Sequence, residues 1–408
     1  MAIPQTPATL LHDPQLRFRA PLLLDLLAIQ FLGRTAKLCV PFLTFSHTEP
    51  CFTTLTSTSI SISTSTVYIN SSAVATPSAY IVPTVYITTS PNGSGRLPSP
   101  YTFLPGAQDN VAVYYGQSPD TKSGGLSTLC ASPNVDIVIL AFVNKFFHAG
   151  GYPAVNFGPA CGPPNAAQEV KAPGLQNCPQ LATEIKSCQK AGKPVLVSLG
   201  GWGASTSFSS DAQATAFAAT LWNLFGAGHQ TPHLRPFGTD VKIDGFDIDN
   251  ENHSTDYYDT FATALRAQFA KDKSKKYYLS AAPQCPIPDA SIPIGLMAQA
   301  DFVWVQFYNN PSCNLNSTGF ASSFEQWSKL LNDSSGEKQP RLYVGSGAFE
   351  AAGSGYVPGS ELRGTVGRTD SHVVGSMGGI MLWDGSAALK NVDVHGRNYL
   401  EYAKAAVL

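Results

Sequence analysis

From residue 110 onward, short apolar runs alternate along the chain with amphipathic stretches. Eight runs stand at 111–115, 135–143, 194–199, 241–249, 277–282, 302–308, 342–345 and 379–383. Helical periodicity falls between them, as at 178–191, 212–225 and 256–270, and again at 398–407. Apolar runs that alternate with helical patterns predict βα units and a parallel sheet. Eight such units in about 300 residues predict a (β/α)8 TIM barrel, whose functional groups gather where the strands end.

The first part of the chain has no such pattern. Residues 21–33 are apolar, follow Arg17 and Arg19, and have the length of a signal-peptide core rather than a membrane span. Asp25 interrupts them and no small-x-small site follows, so an uncleaved anchor and an ordinary apolar patch remain alternatives. Residues 53–107 are dominated by Ser, Thr and Pro, a composition that cannot offset the entropy of ordering, and read as a disordered, O-glycosylated stalk. The alternation of Ile60, Ile62, Val67 and Ile69 leaves strands open there. The expected division is a segment at 1–52, a linker at 53–107 and a catalytic domain at 108–408. N-glycosylation sequons begin at Asn70, Asn92, Asn252, Asn316 and Asn332, usable if the chain is secreted and the site exposed.

Composition narrows the function. With 13% charged residues and a net charge of -2, the chain lacks the basic footprint of a nucleic-acid binder and suits a neutral or weakly charged substrate. Its 35 Gly, 30 Pro and 11% aromatics fit a loop-rich α/β enzyme with a ring-lined cleft, a surface on which polysaccharides stack. Eight cysteines without a C-x-x-C pair indicate disulfides formed in an oxidising compartment. Cys39 and Cys51 lie in the N-terminal region, and the other six admit 15 pairings.

The stretch 241–251, V-K-I-D-G-F-D-I-D-N-E, carries the candidate chemistry. In a strand of period two, Asp247, Asp249 and Glu251 share one face, spaced by about 6.6 Å. Like charges that close favour sharing a proton, which raises the pKa of at least one carboxyl and makes it a proton donor near neutral pH. Glu251, at the strand's end, is the candidate general acid, with Asp249 and Asp247 in support. A divalent metal site and a structural network are the competing readings, although the calcium-loop pattern fails at Asn252 and Tyr258.

The segment D-G-F-D-I-D-N-E at 244–251 resembles the D-G-x-D-x-D-x-E signature of family 18 glycoside hydrolases, the chitinases, and especially their plant and fungal class III branch. Other pieces match in order along about 300 residues. The first run ends with Tyr114 and Gln117 at matching positions, and carries Tyr115 where the family usually has Trp, a difference expected to alter one cleft contact. Asn144 ends the second run, where a local turn explains it as well. Ser198, Leu199, Gly200 and Gly201 resemble the family's S-x-G-G, in which a tight turn or a close backbone approach also accounts for the glycines. Ala282, Pro283 and Gln284 match its A-P-Q. Gln306, Tyr308 and Asn310 fall on one face of the sixth run, suited to hydrogen bonding an N-acetyl group. Trp383, at the end of the eighth run, reads as core or as the floor under a sugar.

The resemblance implies an endo-acting chitinase that cuts β-1,4 bonds between N-acetylglucosamine units with retention, the substrate's own acetamido oxygen acting as nucleophile. Glu251 is then the acid, Asp249 orients the acetamido group, Asp247 shares a proton with Asp249, and Tyr308 holds the acetamido oxygen. No metal or organic cofactor is implied. The implied disulfides are Cys130 with Cys188, Cys161 with Cys178, and Cys285 with Cys313. The expected partner is chitin or its oligosaccharides, bound by a secreted or wall-associated monomer with no clear membrane span. A lectin-like barrel, an endo-β-N-acetylglucosaminidase acting on N-glycans and a structural wall protein are the alternatives, and only the site distinguishes them.

Overall fold

The structure is a computed structural model that describes residues 28–32, 35–39, 54–56, 101–118, 125–336, 338–367, 369 and 376–408. The chain divides into two units, Met1–Ser99 and Pro100–Leu408. In the first, β1 (Ala28–Leu32) pairs antiparallel with β2 (Thr35–Cys39), which pairs with β3 (Thr54–Thr56). Thus β1 occupies part of the apolar stretch 21–33, and β3 is a short ordered piece of the stretch read as disordered. Strands considered at Ile60 to Ile69, Cys51, and the sequons at Asn70 and Asn92 lie outside the described residues.

The second unit is the barrel. Its strands are β4 (Asn110–Tyr115), β5 (Ile137–Lys145), the short β6 (Ala154–Val155), β7 (Val195–Gly200), β8 (Gly245–Asp249), β9 (Tyr278–Ala281), β10 (Phe302–Gln306), β11 (Arg341–Gly347) and β12 (Met377–Trp383). All but β6 pair in parallel round a ring, and β12 closes it by pairing with β4, Gly379 beside Asn110 and Leu382 beside Val113. The helices outside are α1 (Gly125–Ala131), α2 (Ala166–Lys171), α3 (Pro179–Lys190), α4 (Asp211–Leu224), α5 (Tyr258–Phe269), α6 (Ile294–Ala298), α7 (Phe320–Ser334), α8 (Gly359–Val366), α9 (Gly385–Lys390) and α10 (Tyr399–Val407). This is the (β/α)8 barrel that the alternating pattern predicts.

The period of two sorts each strand into an inner and an outer face. In β8, Phe246 and Ile248 join the core under the helices while Asp247 and Asp249 point into the barrel. The same alternation corrects one expectation. Tyr114 is inside, but Tyr115 is buried on the outer face in the core under the helices, so the family's usual Trp is replaced at a packing position and not in the cleft. The interior is filled largely by rings: Tyr278 stacks on Phe302 and Phe302 on Trp304, at centroid distances of 5.3 and 5.6 Å. Phe103 closes the floor from below, with its edge against Tyr278 at 5.7 Å and Phe302 at 6.1 Å.

Strand β8 is shorter than its apolar run. Residues 241–244 are not strand, although Val241 and Ile243 are buried, because Asp244 is a bracket at the foot of the barrel. Its carboxylate accepts from the backbone N–H of Val195 and Nε2 of Gln189, both at 2.8 Å, and from Nζ of Lys275 at 2.8 Å. Gly245 follows because a Cβ there would lie 1.9 Å from the carbonyl oxygen of Tyr278 in β9, at a φ of +154°. The sixth run likewise ends as strand at Gln306, so Tyr308 and Asn310 stand on the loop that leaves β10. Disulfides join Cys130 with Cys188, Cys161 with Cys178, and Cys285 with Cys313, the pairing that the resemblance implies. The third ties the loop after β9 to the loop after β10, beside the cleft.

Candidate active site

Asp247 lies at the bottom of the site, fully buried, and its two oxygens accept from four side chains. Tyr114 Oη at 2.7 Å and Ser198 Oγ at 2.6 Å bond Oδ2, and Ser280 Oγ at 2.7 Å and Trp304 Nε1 at 2.9 Å bond Oδ1. Burial pushes its pKa up and these donors pull it back. A carboxylate so surrounded has its lone pairs committed to donors, which fits an anion held by dipoles and not a ligand directed at a cation. Among the described residues no group of three or more His, Cys, Asp and Glu is arranged to hold a metal ion.

Asp249, one turn of the pleat nearer the strand's end, is 5% exposed and accepts from Nε2 of Gln306 at 2.9 Å. Its pKa is raised well above the usual carboxylate range, first by burial and then by the negative charges of Glu251, Asp247 and Asp289. Glu251 stands just beyond the strand, partly buried, and burial raises its pKa as well, against hydrogen bonds from Gln306 and Asp249 that lower it. Asp249 and Glu251 therefore form a coupled pair that retains a proton above the pH at which isolated carboxyls lose theirs.

The pair opens into a cleft of about 930 Å³ at the C-terminal end of the strands. Gln117, Asn144, Gly200, Gly201, Gln306, Tyr308, Asn310 and Trp383 line it together with Asp249 and Glu251, whereas Tyr114 and Asp247 lie beneath. Gln117 spends its Nε2 on the carbonyls of Ala141 and Asn156, at 2.8 and 2.9 Å, which braces the backbone beside Phe142. Trp383 stacks on Phe142 at 5.8 Å and meets Tyr114 edge-on at 5.5 Å, so it is both supported from below and open to the cleft. At Gly200 a Cβ would lie 1.9 Å from the carbonyl oxygen of Asp249, a close approach to the neighbouring strand at φ +129°. Asn310 donates to Gln284 Oε1 at 2.6 Å, and Gln284 donates to Gln306 Oε1 at 3.1 Å.

The cleft also contains residues that the sequence reading did not single out. Trp202 is 93% exposed at its edge, and Phe142, His253 and Asp289 line it. For Trp202 a signal was present: it sits in a G-G-W-G segment directly after a strand, where glycines leave an aromatic ring unburied. Asp289 gave none, since a single Asp in a Pro-rich loop reads as a turn residue.

Residues 110–347 match the family model described as glycosyl hydrolases family 18. The chain is 42% identical to Endochitinase 3 of Metarhizium anisopliae over 287 residues, 69% of this chain and 93% of that protein. Among solved structures it is similar to a chitinase from Ipomoea carnea, with a TM-score of 0.60 and 30% identity over 73% of this chain and 99% of that one. It is also similar to a xylanase and α-amylase inhibitor protein from Scadoxus multiflorus, with a TM-score of 0.56 and 27% identity over 72% and 98%.

Proposed function

The chain belongs to the glycosyl hydrolases of family 18, and from that premise we propose that it is an endo-acting chitinase, cutting β-1,4 bonds between N-acetylglucosamine units with retention. The observation that carries the reading is the coupled pair Asp249 and Glu251 at the mouth of the barrel, with raised pKa values and an open cleft above. One proton on that pair supplies a general acid at the point where a glycosidic oxygen would sit.

Glu251 protonates the leaving oxygen. The acetamido carbonyl oxygen of the same sugar attacks the anomeric carbon, the C–O bond to the leaving sugar breaks, and an oxazolinium ion forms. Asp249, freed of the shared proton, accepts from the acetamido N–H and offsets the developing positive charge. Tyr308, whose buried phenol stays protonated because burial and the carboxylates hold its pKa well above the usual range, donates to the acetamido oxygen. Water that loses a proton to Glu251 then opens the ring. Asp247 sustains the charge balance from below, and the rings of Trp383 and Phe142 carry the sugar.

Three disulfides support a secreted or cell-wall protein, acting as a monomer on chitin and its oligosaccharides. The test is hydrolysis of chitin oligosaccharides by the purified chain, with the anomer of the product followed as it forms. β-Anomeric, N-acetylated fragments from the native chain, and none from Glu251→Gln with oligomer binding intact, are the expected result. Full turnover by Glu251→Gln would remove the assignment, and binding without cleavage by the native chain would make this a lectin-like barrel.

A further inference from the structure

Residues 284–293 lead from β9 toward α6, and one buried carboxylate organises them. Asp289, 9% exposed, accepts from the backbone N–H of Gln284 at Oδ2 (2.7 Å) and from those of Ser291 and Ile292 at Oδ1 (2.8 and 2.6 Å). Burial raises its pKa above the usual carboxylate range, and the three N–H donors pull it back.

Ser291, held this way, grips the chain on both sides of Glu251. Its carbonyl accepts from Nδ2 of Asn250 at 2.7 Å, and its Oγ accepts from the backbone N–H of His253 at 3.0 Å. Asn250 is 2% exposed and its amide is fully used, since Nδ2 also donates to Ser254 O at 2.8 Å and Oδ1 accepts from Thr206 Oγ1 at 2.6 Å. His253 has φ +59°, a left-handed conformation that a non-glycine residue keeps only when its surroundings hold it. The backbone that carries Glu251 is therefore pinned at both ends to one loop.

Asp289 also lines the cleft with Glu251. The titratable groups around the acid are Asp249 and, beneath it, Asp247 from β8, His253 from its own loop, Tyr308 from the loop after β10, and Asp289 from the loop after β9. Among the described residues lining the cleft, Asp289 is the one carboxylate that comes from neither β8 nor its loop. Its charge works in the same direction on Glu251 and Asp249, favouring the protonated pair, while His253 opposes it at Glu251.

We propose that Asp289 is the positioning residue of this site: through Ser291 it fixes the place of Glu251, and it sets a further carboxyl group in the same cleft as the acid. The proposal rests on the reading of Glu251 as the acid. The full chain and its Asp289→Asn, Asp289→Ala and Glu251→Gln variants are compared on soluble chitin oligosaccharides, with kcat, KM and the pH profile of kcat/KM measured for each. Asp289→Asn retains an oxygen for Ser291 and Ile292 but loses the charge and the acceptor of the Gln284 N–H. Its alkaline limb is expected to move about one pH unit toward acid, with kcat at the optimum lowered less than in the alanine variant. Asp289→Ala also releases the loop, and its kcat is expected to fall about tenfold or more at every pH. Should the alanine variant fail to fold, the asparagine variant still decides the matter. A lower melting temperature with an unmoved alkaline limb would make Asp289 a purely structural residue and overturn the proposal. An active Glu251→Gln would instead remove the acid assignment, which separates the two failures.

Discussion

Gln306 reaches from β10 past β9 to donate its Nε2 hydrogen to Oδ1 of Asp249 in β8, at 2.9 Å. The amide is oriented by its neighbours: its other N–H goes to Ala282 O at 2.9 Å, and its Oε1 accepts from Gln284, which accepts from Asn310. The carbonyl-type oxygen of a protonated carboxyl is the better acceptor, so an amide N–H favours the proton on the other oxygen. When Asp249 holds the proton of the Asp249–Glu251 pair, this bond favours Oδ2 as its place.

Gln306→Leu, which keeps the bulk and removes the donor, is expected to lower kcat by about tenfold to a hundredfold while changing KM little, because Asp249 loses the bond that fixes its orientation. Steady-state kinetics on a chitin oligosaccharide measure this. An unchanged kcat would mean that Asp249 needs no such anchor.

The raised pKa values of Asp249 and Glu251 have a stability consequence with a definite sign. A carboxyl whose folded pKa exceeds its unfolded value contributes stability that is fully present below the unfolded pKa, near 4. That contribution is lost as pH rises through the folded pKa, since the unfolded chain ionises more readily. Replacing Glu251 with neutral Gln removes one of the repelling charges. Glu251→Gln is therefore expected to melt higher than the native chain at mildly alkaline pH, by roughly 2 °C or more, with a smaller difference in acid. Calorimetry at two pH values checks the sign.

Trp202 exposes nearly all of its ring beside the cleft, between Gly201 and Gly203. Such a ring at the edge of a sugar-binding groove offers a stacking face to a sugar distant from the cut. Trp202→Ala is expected to raise KM for long oligomers by about fivefold to twentyfold, with little effect on the shortest ones and none on the fold. Equal KM values across chain lengths would exclude the ring from binding.

Phe103 seals the barrel from below, and Tyr101, on the same segment, donates from Oη to Asp136 at 2.6 Å. Phe103→Ala is expected to cost about 2–3 kcal/mol in urea unfolding, with kcat preserved below the transition. A fragment that begins at residue 108 lacks this floor and is expected to unfold at lower urea than one that begins at residue 100. Equal midpoints would show the floor to be dispensable.

The barrel was legible because its strands are apolar on both faces and its helices on one, so periodicity separates them. What periodicity could not show was where strands stop. Val241 and Ile243 are as buried as strand residues, yet Asp244 ends the regular backbone by taking the N–H of Val195 on its side chain. The row of Asp247, Asp249 and Glu251 was visible in the spacing alone. Residues that act through folded loops were not: Asp289 and Ser291 lie about 40 residues from Glu251 in sequence and meet its flanks only because β8 and β9 are neighbours. Tyr115 shows the opposite error, a residue placed in the cleft by resemblance and moved to the outer face by a shift of one position.

The closure of the ring between β12 and β4 has a consequence in time. β4 leaves the ribosome more than 250 residues before the strand that completes it, and until Met377–Trp383 arrives one of its edges has no permanent neighbour. Lys404, which bonds the carbonyl of Asp109 at 2.6 Å and Asp136 at 3.1 Å, comes later still. Nascent chains must therefore carry an unsatisfied strand edge through most of their synthesis, and a pause or a premature stop before residue 377 would release a sheet ready to pair with a stranger.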